Sequence, residues 1–136
     1  MLLNDEQVMI RDTARQFADA RLKPNAASWD RDSRFPKEAL AEMATLGFLG
    51  MTVPEAWGGA ETDNVSYALA LMEVAAGDGA TSTIMSVHNS VGCQPILKYG
   101  SEEQKERFLK PMARGEKLGA FMLTEPHAGS DAGAIR

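Results

Sequence analysis

The chain of 136 residues carries 14 Lys and Arg against 19 Asp and Glu, a formal charge of -5, and is 44% hydrophobic. A chain of this length buries roughly two-thirds of its unfolded surface, enough for one core. The acidic balance, with no block of like charges, argues against a general nucleic-acid or membrane-surface binder.

Most of the chain reads as helix. Asn4 with Gln7 three positions on resembles a capping box, and Leu3, Ile10, Ala14, Phe17 and Ala18 recur at helical spacing opposite Arg11, Asp12, Arg15 and Asp19. This helix is expected to run to about Lys23, because Pro24 disfavours the helical conformation before it, with a kinked continuation toward Trp29 as the alternative. A second helix starts at Pro36 and ends before Gly47, with Leu40, Met43 and Ala44 on its inner side. Pro54-Glu55-Ala56-Trp57-Gly58-Gly59 reads as a turn. A third helix begins near Thr62, carries Val65, Ala68, Leu69, Met72, Ala75 and Ala76, and stops at Gly77-Asp78-Gly79.

From Ala80 to about Tyr99 the pattern is apolar nearly all round, which predicts a central helix, kinked or broken at Pro95. Ser101-Glu102-Glu103-Gln104 is a capping box that opens a last helix ending at Arg114-Gly115, with Pro111 distorting its final turn. A strand is expected only after Gly119, leading through Thr124-Glu125-Pro126 into the small residues Ala128-Gly129-Ser130, where the backbone can approach a flat or phosphorylated ligand. The lone cysteine, Cys93, cannot form an intramolecular disulfide and reads as a buried small residue in a reducing compartment. The N-terminal residues resemble neither a signal nor a transit peptide, and no stretch approaches eighteen apolar residues, so a soluble cytoplasmic protein is expected.

No phosphate-loop, dinucleotide or zinc-protease motif is present, and His88 and His127 lie far apart without evident ligand partners. The run from Phe121 to Asp131 resembles the flavin-binding signature of the acyl-CoA dehydrogenase family, an apolar strand entering Thr-Glu-Pro and then Gly-Ser-Asp. Pro54 to Gly59 and Gly100-Ser101-Glu102-Glu103-Gln104-Lys105 are similar to two further family motifs, and Met85 to Ser90 to its short-chain branch.

The resemblance implies a mainly α chain: the N-terminal helical-bundle domain of the acyl-CoA dehydrogenase fold over 1–117, with the first strand of a middle β-domain over 118–136 and the rest of the enzyme missing. It implies FAD contacts by Phe121, Met122, Leu123, Thr124, Glu125, Pro126, His127, Ala128, Gly129 and Ser130. Within these, Thr124 and the Leu123 amide would meet the pyrimidine edge of the ring, while Gly129 and Ser130 would lie by the pyrophosphate, with Ser130 also touching acyl-CoA. No catalytic residue is expected in the chain: the glutamate base lies beyond Arg136 in most of the family, so Glu125 braces the turn and Asp131 caps local donors. Met85, Val87, Val91 and Cys93 read either as lining of the acyl cavity or as core.

The implied activity is α,β-dehydrogenation of a short-chain or small branched acyl-CoA. An electron-transfer flavoprotein would accept the electrons, and the full-length protein would be a homotetramer or homodimer. An acyl-CoA oxidase, a flavin monooxygenase and a non-catalytic helical module are the alternatives.

Overall fold

A computed structural model describes residues 2–136, all of them in helices, turns or extended segments. The first helix, α1 (Asp5–Phe17), opens as expected: Asn4 Oδ1 accepts from the Gln7 amide at 2.8 Å and Gln7 Oε1 accepts from the Asn4 amide at 3.2 Å. It does not stop at Lys23. A π turn (Ala18–Leu22) carries it without a break into α2 (Lys23–Arg31), which holds Pro24 in its first turn.

The same device occurs twice more. After α3 (Lys37–Thr45) and α4 (Asn64–Gly77), α5 (Gly79–Val87) passes through a π turn (His88–Cys93) into α6 (Gln94–Tyr99), which contains Pro95. Finally α7 (Glu102–Gln104) passes through Lys105–Leu109 into α8 (Lys110–Ala113), which contains Pro111. A proline ring strikes the carbonyl four residues before it in a regular α-helix. Those carbonyls belong to Ala20, Val91 and Arg107, and each lies inside a π turn, where the wider winding moves it aside. Each helix therefore continues past its proline without a break, as the kinked alternative at Pro24 allowed, where a kink or break was expected at Pro95 and a distorted final turn at Pro111.

The helix α1 lies along α4, and α4 along α5. The face of α4 turned inward is Ser66, Ala70 and Val74, whereas Ala68, Met72, Ala75 and Ala76 are exposed. Apolar residues nearly encircle this helix, so spacing alone cannot choose its inner face. Ser66 is buried at little cost, because its hydroxyl donates to Asp63 Oδ2 at 2.8 Å. At the far end Gly77 lets the helix touch Ala18 and Leu22.

One apolar cluster gathers Phe17, Leu22, Leu40, Met43, Phe48, Leu49, Met51, Val74 and Met85. A second, smaller one gathers Val53, Cys93, Leu109, Met112 and Ala113. The turn after Val53 seals the second cluster: Gly58 sits at φ 80°, and Lys105 Nζ stands 5.7 Å from the Trp57 ring centre. The helix from 79 to 99 is central along one stripe only, formed by Thr81, Met85, His88, Asn89 and Cys93.

Candidate functional site

Chain direction at the site is set by the end of α8. Gly115 takes φ 70°, and the amides of Glu116 and Lys117 both donate to the Pro111 carbonyl, at 2.9 and 3.2 Å. The following residues, 118 to 124, run outside any helix. They form no ladder with another segment among the described residues, so the expected strand is present only as an isolated extended stretch. A strand needs a second strand to pair its amides and carbonyls, and this stretch meets none among the described residues.

The stretch leads into a tight turn. Glu125 and Ala128 exchange main-chain hydrogen bonds of 2.8 and 3.1 Å around Pro126 and His127. The Glu125 carboxylate accepts from the Arg136 amide at 3.2 Å, and its Oε2 lies 3.2 Å from His127 Nε2. The Glu125 carboxylate thus links its own turn to the main chain of Arg136. Asp131 differs from expectation: its carbonyl, and no oxygen of its side chain, receives the Ala134 amide.

Ala128 is buried, while Thr124, Pro126, His127 and Ser130 are exposed. Gly129 has open space around it: an added Cβ would meet only Thr124 Cγ2, at 3.9 Å. Phe121, Met122 and Leu123 are 51%, 97% and 42% exposed. The segment therefore presents free main-chain donors and acceptors together with apolar side chains, next to a turn of small residues. That set of groups fits a flavin nucleotide, which has an apolar ring system, a hydrogen-bonding pyrimidine edge and a pyrophosphate.

Beside it runs an apolar groove of about 310 Å³, lined by Phe35, Thr83, Ile84, Val87, Leu118, Gly119, Ala120 and Phe121. Of the four residues considered for an acyl cavity, only Val87 lines it. Met85 and Cys93 are fully buried in the two clusters. Burial pushes the Cys93 thiol up to about 11, which keeps it protonated and unreactive.

Sequence reasoning missed His88. Fully buried, it places Nε2 3.0 Å from the Met112 carbonyl, and its Nδ1 accepts from the Gly119 amide at 3.0 Å. The available signal was the pair of glycines, Gly92 in the middle of an apolar helix and Gly119 before the signature, which pack against each other here. Among the described residues no group of three or more His, Cys, Asp or Glu could hold a metal ion, and no helix is long and apolar enough to cross a membrane.

Comparison with known proteins agrees with this arrangement. An acyl-CoA dehydrogenase of Bacillus subtilis is 46% identical over the whole chain, and a 3-(aryl)acrylate reductase of Clostridium sporogenes is 44% identical over 99% of it; in both the match covers 36% of the relative. The crystal structure of a glutaryl-CoA dehydrogenase from Mycobacterium smegmatis in complex with FADH2 superposes with a TM-score of 0.91 at 42% identity, over 98% of this chain and 34% of that one. The chain thus spans about a third of the length of the relatives it matches. With the profile of the acyl-CoA dehydrogenase N-terminal domain matching residues 4–116, the chain belongs to the acyl-CoA dehydrogenase family.

Proposed function

We propose that this chain is the N-terminal part of an FAD-dependent acyl-CoA dehydrogenase acting on a short-chain or small branched acyl-CoA, with the helical domain over 1–117 and a β-domain beginning at 118. The observation that carries the reading is the segment 121–130, whose main chain over 121–124 is unpaired and whose exposed apolar side chains adjoin an apolar groove. Bound FAD supplies the acceptor for a hydride from the β-carbon of the thioester.

The chain's own part is to bind and orient. The Thr124 hydroxyl and the Leu123 amide bond the pyrimidine edge. Gly129 and Ser130 admit the pyrophosphate, held by amides, and Ser130 also touches the acyl-CoA. Phe121, Val87 and Ile84 cover the acyl tail and keep water from it, which strengthens every hydrogen bond inside the pocket. We assign no base in these 136 residues; Glu125 is engaged with Arg136 and His127, and the α-proton goes to a glutamate beyond Arg136. An electron-transfer flavoprotein takes the electrons, and the whole protein assembles as a homodimer or homotetramer in the cytoplasm.

The test is anaerobic addition of butyryl-CoA to the full-length protein. Bleaching of the flavin absorbance is the expected result, followed by slow reoxidation in air. Fast reoxidation by oxygen would identify an oxidase instead. The 44% identity to a 3-(aryl)acrylate reductase favours a second reading, reduction of a conjugated acid. Reduced flavin reoxidised by an arylacrylate, together with no bleaching by any acyl-CoA, would establish it.

A further inference from the structure

Between the Lys117 amide and the Glu125 amide, one hydrogen bond ties the stretch leading into the signature to the helices among the described residues: the Gly119 amide donates to the His88 side chain. The chemistry of its partners fixes the ring. A backbone amide can only donate, so Nδ1 facing Gly119 carries no proton; a carbonyl can only accept, so Nε2 facing Met112 carries one. His88 is thus a neutral two-ended connector between the last helix and the first residues after it. The approach is close because both contact points are bare. A Cβ on Gly119 would stand 2.5 Å from Met112 Cε and 3.3 Å from Gly92 Cα.

We propose that His88 is a positioning residue whose bridge from the Met112 carbonyl to the Gly119 amide sets where segment 118–124 leaves the helical domain, and thereby the affinity of that segment for flavin. The flavin clause rests on the function proposed for 121–130; the bridge does not. Protonation supplies a way to open it. A second N–H at Nδ1 would face the Gly119 N–H, donor against donor. Burial pushes the His88 pKa below its ordinary value of 6.5. The Met112 and Leu49 carbonyls oppose that shift in part, and no charged side chain contributes to it. The neutral ring's contribution is therefore complete above about 6.5 and is lost as pH falls through the lowered value.

Hydrogen exchange read by mass spectrometry on the full-length protein tests this. In the wild type the Gly119 amide should be protected while Met122 exchanges freely. H88L should remove that protection and leave peptides around Val74 unchanged. H88Q, which offers one acceptor and one donor, should restore part of it. FAD binding should weaken about tenfold in H88L, the effect of losing one buried hydrogen bond, and recover partly in H88Q.

Equal exchange at Gly119 and Met122 in the wild type would overturn the proposal. So would a loss of protection in H88L spread evenly through the core. If H88L does not fold, the wild type decides: the Gly119 amide must exchange more slowly than the neighbouring Leu118 and Ala120 amides, corrected for intrinsic exchange, and equal exchange along 118–122 overturns the bridge. Exchange as expected with unchanged FAD affinity would sink the flavin clause and leave both the bridge and the flavin reading of 121–130 standing, whereas full-length wild type that binds no FAD would sink that reading.

Discussion

At single residues, absent side chains account for much of the packing. Gly59 lies so close to the Val53 backbone that a Cβ there collides with the Val53 carbonyl, and the main chain cannot yield without opening the second cluster. Gly79 meets nothing within 4 Å and stands at the first position of α5. We expect Gly59→Ala to cost at least about 2 kcal/mol, as overpacking against a rigid backbone does. Gly79→Ala should be neutral, or stabilising by about 0.5 kcal/mol through the unfolded chain. Urea midpoints of the two variants, at unchanged slope, check the contrast. Neither difference is visible in the sequence, where both are glycines in turn-like contexts. Likewise His88 looked partnerless, because both its partners are main-chain atoms 24 and 31 residues away.

For whole elements, local signals written in side chains next to the backbone were readable. The boxes at Asn4 and Ser101 place their helices to within a residue, since each acts over three positions. At the second box Ser101 Oγ accepts from the Gln104 amide at 3.2 Å and Gln104 Oε1 from the Ser101 amide at 2.9 Å. Because α7 is a single turn that must hand on to a π turn, Ser101→Ala should cost about 1 kcal/mol and fray the whole segment to Leu109. Faster amide exchange from Glu102 to Leu109, with α1 unaffected, is the expected record. What the sequence left open is whether a helix breaks at Pro24 or Pro95 or continues through it. The steric penalties at Pro24, Pro95 and Pro111 are genuine, but widening the preceding turn relieves them, and tertiary contacts decide between the two outcomes. The inner face of α4 was concealed for a related reason, since a helix apolar on most sides takes its orientation from its neighbours.

In the molecule as a whole, one run of exposed apolar groups lies toward the end of the chain: Phe121, Met122 and Leu123, with Leu118 and Phe35 at the groove. Burial of such a patch is favourable in proportion to its area. The 136-residue chain alone should therefore self-associate with rising concentration in sedimentation velocity, and a Phe121→Ser/Met122→Ser pair should keep it monomeric. We also expect it to lose FAD on gel filtration, since a single segment offers only part of a nucleotide's contacts. The helical fold and the family were legible because several motifs occur in the right order along the chain. The missing ladder for 118–124 was not, because strand formation depends on a partner that no local pattern specifies.

The three π turns bear also on how the chain can change length. Each winds wider than the α-helix on either side of it, as one inserted residue would make it. Removing a residue such as Ser90 would return that stretch to uniform winding with the downstream stripe still in phase, provided Pro95 were replaced too. Gaps within the helices, and not only in the loops, are then tolerable at these three places, and an alignment that forbids them would misplace every residue between one π turn and the next.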